Sequence, residues 1–175
     1  MQMSDSRDIA AGKEAVWAAL LSPEVLQECV PGATEVTGTP EDGFEASVTQ
    51  KVGPVKATFR GTVTVSNIVE GRSLTLTGEG KGGAAGFAKG SADVRLEEAH
   101  GVTTLSYDVE AKVGGKLAQL GSRIVDGFAK KMADQFFTRL EEVIMGPQED
   151  TPDDPQAEPV DVEARKQGWL KKLIT

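Results

Sequence analysis

Apolar and polar residues alternate along the chain between Val55 and Val65. The apolar or glycine positions are every second residue: Val55, Ala57, Phe59, Gly61, Val63 and Val65. Because successive side chains of a strand point to opposite faces, this pattern predicts a long strand with one apolar face. Small residues make up much of that face, so we expect an inward surface that does not fill its own interior.

The same alternation extends over the flanking stretches, from Thr34 to Val113. Short connections rich in glycine, such as Gly53-Pro54, separate the runs, as they do in β-hairpins. We therefore predict an antiparallel meander. Its other inward positions are Phe44, Ala46, Val48, Gln50, Val52, Leu74, Leu76, Gly78, Gly80, Ala88, Gly90, Ala92, Val94, Leu96, Leu105, Tyr107, Val109, Ala111 and Val113.

Helical patterns flank the meander. A predicted strand from Met3 to Ile9 precedes two short predicted helices, residues 13–21 and 23–28. A long helix, residues 116–145, is predicted after the sheet, because apolar residues recur there every three or four positions. These residues are Leu117, Leu120, Ile124, Phe128, Met132, Phe136 and Leu140. A curved sheet wrapped around a long C-terminal helix is the α+β helix-grip fold, which leaves a pocket between the two.

Glycines interrupt the first half of the predicted long helix, at Gly121 and Gly127. A glycine inside a helix costs about 1 kcal/mol relative to alanine. One explanation for such residues is close approach of the helix to the sheet or to a ligand.

Composition and charge narrow the classes of function. The chain has 175 residues, a net charge of −8 and 5% aromatic residues, which predicts one folded domain with a mainly aliphatic interior. The negative charge argues against a nucleic-acid partner, because phosphate binding needs a clustered positive surface. A single cysteine, Cys29, suits a reducing cytoplasm. We expect neither a signal peptide nor a membrane-spanning segment, since no sufficiently long apolar run is present.

Several short motifs occur in the order and spacing of a known family. They are Ala15-Val16-Trp17, Ser22-Pro23, Pro31-Gly32, Gly53-Pro54, Phe59-Arg60-Gly61, Gly78-Glu79-Gly80, Gly114, Leu120-Gly121-Ser122 and Phe136-Phe137. On these motifs, residues 1–145 resemble the CoxG family of carbon monoxide dehydrogenase subunits, within the START-like helix-grip (SRPBCC) superfamily. The resemblance implies a non-catalytic protein that accompanies a molybdenum-containing dehydrogenase and binds a hydrophobic molecule such as a respiratory quinone. It implies no covalent cofactor, only a bound quinone or other lipid.

The inward positions from Phe44 to Val113 carry no Asp, Glu, His, Lys or Arg. Catalysis needs a positioned titrating group or an activated nucleophile, so this pattern favours a binding cavity. Gln50 and Tyr107 have hydrogen-bonding side chains, and each serves either ligand recognition or a structural partner. The predicted ligand-binding residues are Gln50, Ala57, Phe59, Gly61, Tyr107, Leu117, Leu120, Ile124 and Phe128. A larger residue at Gly61, such as leucine, is expected to reduce ligand uptake with less harm to folding.

The alternative function is a small helix-grip enzyme, a cyclase or hydrolase acting on a hydrophobic substrate. A titratable residue facing the cavity would favour this alternative, and the absence of such a residue would favour a carrier.

Three features have simpler interpretations than the chemistry they suggest. Gly78 to Gly83 fits a dinucleotide-binding fingerprint with Glu98 beyond it, but that motif must open a helix, and a strand is predicted here. His100 lies in a predicted turn without further candidate ligands, so we expect no metal site. Cys29 is expected to be a packed thiol at a helix end.

The composition changes after Met145. Proline and acidic residues dominate residues 146–162, which predicts an extended, disordered linker. Residues 163–175 are basic and place apolar side chains on one side of a helix, which predicts either a fraying end or an anchor for a membrane or a partner. The predicted membrane-binding residues are Arg165, Lys166, Trp169, Leu170, Lys171, Lys172, Leu173 and Ile174. With a ligand-binding domain at 1–145, we expect a cytoplasmic protein held peripherally at the inner face of the membrane.

Overall fold

The computed structural model describes residues 1–146, which form one antiparallel sheet and a set of helices. The strands are β1 (Gln2–Ile9), β2 (Ala33–Thr39), β3 (Gly43–Val52), β4 (Val55–Val69), β5 (Ser73–Lys81), β6 (Phe87–Ala99) and β7 (Val102–Gly114). The helices are α1 (Lys13–Leu20), α2 (Pro23–Cys29), α3 (Lys116–Gln119) and α4 (Ser122–Met145), with a 3₁₀ turn at Gly83–Ala85. The predicted linker after Gly146 and the whole predicted tail lie outside the described residues.

The sheet has seven strands in the order β1-β7-β6-β5-β4-β3-β2. The predicted meander therefore runs from β2 to β7, and β1 pairs with β7 to extend it. Leu76 lies opposite Ala92, and Ala92 lies opposite Val109, so these three side chains share one face. The α+β helix-grip prediction is confirmed.

Burial alternates along the strands as predicted, but the inward face is not uniformly buried. Phe44, Leu74, Val94 and Leu105 are buried. Along β4, by contrast, the inward residues from Val55 to Val65 are only half-buried, while the residues between them are exposed. The packed core therefore covers part of the inward face and leaves the middle of the sheet accessible.

The predicted long helix is interrupted. Gly121, with φ +90°, separates α3 from α4, and a Cβ added at Gly121 or Gly127 would meet no atom within 4 Å. Close approach is therefore the wrong explanation for these glycines. At Gly121 the backbone conformation that ends α3 explains the residue, because only glycine adopts it without strain.

The apolar stripe of the C-terminal helices is buried only in part. Leu117, Phe137 and Leu140 are buried, whereas Ile124 is 42% exposed. The first half of α4 thus packs less closely than its periodicity predicts.

Glu98 and His100 have structural roles. The Glu98 carboxylate accepts a hydrogen bond from the Lys13 backbone N–H at 3.0 Å and so caps the start of α1, which has only Gly12 as N-cap. His100 and Gly101, with φ of 56° and 79°, form the two-residue turn between β6 and β7. The residues Gly78 to Lys81 belong to β5 and do not open a helix of the dinucleotide-binding kind.

Among the helices of residues 1–146, none combines the length and the apolar character needed to cross a bilayer. Cys29 is fully buried at the end of α2.

Candidate functional site

An apolar cavity of about 290 Å³, here called the inner cavity, lies between the sheet, the α1–α2 segment and α4. The sheet contributes Met3, Leu76, Ala92, Val94, Leu105, Tyr107 and Val109. The α1–α2 segment contributes Leu20, Leu26, Val30 and Pro31, and α4 contributes Met132, Ala133, Phe136 and Phe137. Within residues 1–146, Tyr107 is the only lining residue of this cavity with a polar side chain.

A second apolar space of about 420 Å³, here called the open trough, follows the inward face of strands β3 to β7. Its floor consists mainly of small and aliphatic residues, among them Ala46, Val48, Phe59, Gly61, Ala88 and Ala111. Outward residues such as Glu79 and Lys89 border it, and no described residue of α4 lines it. The inner cavity and the open trough share Leu76, Ala92 and Val109, so the two spaces meet at these residues.

The largest depression, about 1030 Å³, lies on the outward side of the sheet. It is lined mainly by polar residues such as Thr62, Thr77, Lys89, Glu110 and Lys112. An apolar ligand gains little there, because ligand sites for such molecules are predominantly apolar. We therefore place the candidate site in the inner cavity and the open trough.

The predicted ligand-binding residues are divided among different surroundings. Phe59 and Gly61 line the open trough, and Tyr107 lines the inner cavity. Gln50 borders neither space, and its amide nitrogen donates a hydrogen bond to the Pro31 carbonyl, a structural partner. Ala57 is half-buried on the inward face outside both spaces.

The predicted residues of the C-terminal helices also lie outside the two spaces. Leu117 is buried, and Phe128 is half-buried. A Cβ on Gly53 would lie 3.8 Å from Ile124 Cγ2 and 3.9 Å from Leu120 Cδ2, so these two side chains face the β3–β4 turn.

The small residue at Gly61 has a different cause from the one that we inferred from sequence. A Cβ there would lie 1.9 Å from the Glu79 carbonyl oxygen and 2.7 Å from the Gly80 Cα. The neighbouring strand therefore requires glycine at this position. The expectation that Gly61→Leu would fill the cavity with little harm to folding is wrong.

Sequence reasoning missed Phe137, which is buried and lines the inner cavity. The spacing of Ala133, Phe137 and Leu140 was the available signal, because residues four and three apart share a helix face. The wall formed by Leu20, Leu26 and Val30 had no comparable signal, since it depends on how α1 and α2 pack on the sheet.

An aromatic stack holds Tyr107 in place. Its ring centroid lies 5.4 Å from that of Phe137, with the planes 18° apart, and Phe136 meets Phe137 edge-on at 5.1 Å. The Arg7 guanidinium carbon lies 5.2 Å from the Phe137 ring centroid, and Arg7 forms an ion pair with Asp134 of α4. These contacts attach α4 to the edge strand β1 beside the inner cavity.

Charged residues on β1 also went unrecognised in the sequence. Asp5 lies opposite Tyr107, and Arg7 lies opposite Leu105. Both therefore share the parity of the inward face. The inward positions inferred from sequence began at Phe44 and so did not include β1, whose pairing with β7 is a tertiary feature.

The pKa of Tyr107 is raised above its ordinary value of about 10. Burial is the main cause; Asp5 and Asp134 raise the pKa further, and Arg7 opposes them. The contribution of this group to stability is therefore complete below the unfolded pKa and is lost as the pH rises through the folded pKa.

Because the chain has one tyrosine, the near-ultraviolet absorbance of phenolate reports Tyr107 alone. We expect its midpoint in the folded protein to lie at higher pH than in the urea-unfolded chain. Asp5→Asn should lower the folded midpoint, since it removes a charge that disfavours phenolate. Identical midpoints in the folded and unfolded chains would contradict this electrostatic description.

Solved structures define the class of fold. A conserved protein from Geobacillus kaustophilus is 27% identical, with a TM-score of 0.78 over 83% of this chain and 95% of that chain. A START superfamily protein from Mycobacterium smegmatis is 15% identical, with a TM-score of 0.62 over 82% of this chain and 97% of that chain. A protein from Chromobacterium violaceum is 17% identical, with a TM-score of 0.61 over 83% and 98%. The chain thus has the START-like helix-grip fold.

A model of the CoxG family of carbon monoxide dehydrogenase subunits matches residues 6–145. The chain belongs to this family, as its motifs indicated. No curated protein matches the chain.

Proposed function

We propose that the protein is a non-catalytic carrier of a hydrophobic small molecule, with a respiratory quinone as the ligand. The observation that carries the proposal is the apolar space formed by the inner cavity and the open trough, which meet at Leu76, Ala92 and Val109. Burial of apolar ligand surface contributes about 25 cal/mol per Å² before the costs of ordering. Small-molecule sites usually have volumes of about 300–1,000 Å³, and the two spaces suit a ring with an attached chain.

A carrier is favoured over an enzyme by the lining of the inner cavity. Within residues 1–146 the lining contains no carboxylate, imidazole or amine, and Tyr107 is its single titratable side chain. A tyrosine whose pKa lies above 10 is a weak general acid or base near neutral pH. A helix-grip cyclase or hydrolase would need a stronger acid or base against the substrate.

Membership of the CoxG family supports a link to a carbon monoxide dehydrogenase. In this proposal the protein delivers quinone to a molybdenum-containing enzyme of that kind or assists its assembly. The tail, residues 163–175, attaches the protein reversibly to the inner face of the cytoplasmic membrane. Its composition supports this role, because lysine and arginine near an anionic surface contribute about 1 kcal/mol each.

Liposomes containing anionic lipid and ubiquinone test the carrier and the anchor together. We expect the full chain to sediment with them at low salt. When salt is raised, the released protein should carry quinone into the supernatant, because salt screens the basic tail and not the apolar site. A Lys171→Glu/Lys172→Glu variant should not sediment. Sedimentation of the variant like the native chain would exclude the tail as an electrostatic anchor, and quinone-free released protein would contradict the carrier.

A further inference from the structure

The Tyr107 hydroxyl is a buried polar group with no hydrogen-bond partner among residues 1–146. The residue is 5% exposed, and its side chain lines the inner cavity. Buried polar groups normally have a partner, because an unsatisfied group retains its desolvation penalty. The stack on Phe137 restrains the ring, so a molecule in the cavity meets this hydroxyl in a defined position.

The site is polar at one end only. Tyr107 lies opposite Asp5 of the edge strand β1. In the other direction along the same face of β7 lie Val109 and Ala111, which line the open trough. Alternate residues of a strand are about 7 Å apart, so an apolar chain that starts beside Tyr107 finds an apolar floor over at least two further positions.

The charges near Tyr107 disfavour an anionic group. Arg7 is paired with Asp134, which leaves the Asp5 carboxylate as an additional negative charge beside the tyrosine. A carboxylate placed there would meet this charge at short range, whereas a neutral carbonyl oxygen would not. The tyrosine hydroxyl can donate to such an oxygen.

We infer that the ligand binds with a neutral carbonyl oxygen accepting a hydrogen bond from the Tyr107 hydroxyl and with its apolar chain extending into the open trough. This inference rests on the proposed carrier function and adds the orientation of the ligand and the chemistry of its head group. It assigns Asp5 the role of excluding acids.

Three probes with similar chains test the inference: hexadecane, methyl palmitate and palmitate. Their affinities for the full chain are measured by displacement of Nile red. Methyl palmitate should bind about three- to tenfold more tightly than hexadecane, the contribution of one hydrogen bond. Palmitate should bind more weakly than its ester. Tyr107→Phe should remove the advantage of the ester without changing hexadecane binding, and Asp5→Asn should narrow the gap between acid and ester.

Equal affinities of the ester and hexadecane for the native protein would overturn the inference and leave the carrier function intact. An equal loss of both probes in Tyr107→Phe would do the same, because it would show a packing effect. Failure of all three probes to bind would overturn the carrier function and this inference with it.

Discussion

Replacing Ala92 with phenylalanine should abolish quinone binding while the protein stays folded. Ala92 lies where the inner cavity and the open trough meet, between Leu76 and Val109 in register. A phenylalanine ring there would exclude the ligand from both spaces. A loss of about 100 Å² of apolar contact corresponds to about 2.5 kcal/mol, or close to a hundredfold in affinity. Overpacking a filled core costs about 1–3 kcal/mol, and we expect a smaller cost here because the ring enters open space.

Retention of ubiquinone after gel filtration measures this effect. Thr77→Phe is the matched control, because it adds the same ring to an exposed, outward position beside Leu76. The control should retain quinone like the native protein. Equal retention by Ala92→Phe would show that the ligand does not occupy these two spaces.

Replacing Gly61 with alanine should destabilise the protein severely. The added Cβ would lie 1.9 Å from the Glu79 carbonyl oxygen, so β4 and β5 cannot keep their present spacing. We expect the free energy of unfolding to fall by about 3 kcal/mol or more. This is a requirement of the backbone, distinct from the open space at Ala92.

Gly80 lies opposite Gly61 and provides the control. A Cβ at Gly80 would lie 3.8 Å from the Phe59 Cβ, an ordinary contact, so Gly80→Ala should change stability by no more than about 1 kcal/mol. Urea unfolding of both variants gives the comparison. Similar unfolding free energies for the two variants would contradict the close approach of the strands at Gly61.

The sheet could be predicted in detail because side-chain alternation is a local property. The parity of residues such as Phe59 and Tyr107 follows from strand geometry alone, and it correctly placed both on the inward face. The floor of the open trough follows from the same pattern. Its Gly61 was misinterpreted, since the distance between two strands does not appear in the sequence of either one.

The remaining part of the site depends on contacts between distant segments. The pairing of β1 with β7 brings Asp5 and Arg7 beside Tyr107, and the α1–α2 segment closes the inner cavity. Helical periodicity identified Phe136 but not Phe137, because neighbouring residues can both contact a concave surface. It also extended one helix across Gly121, where the left-handed backbone ends α3.

Mass spectrometry of an organic extract tests the central claim most directly. The native full chain and Ala92→Phe would be purified in parallel from the same host and extracted under identical conditions. The carrier function predicts a quinone or similar hydrophobic molecule in near-stoichiometric amount from the native protein and little from the variant. An extract of the native protein without such a molecule, or equal amounts from both proteins, would contradict it.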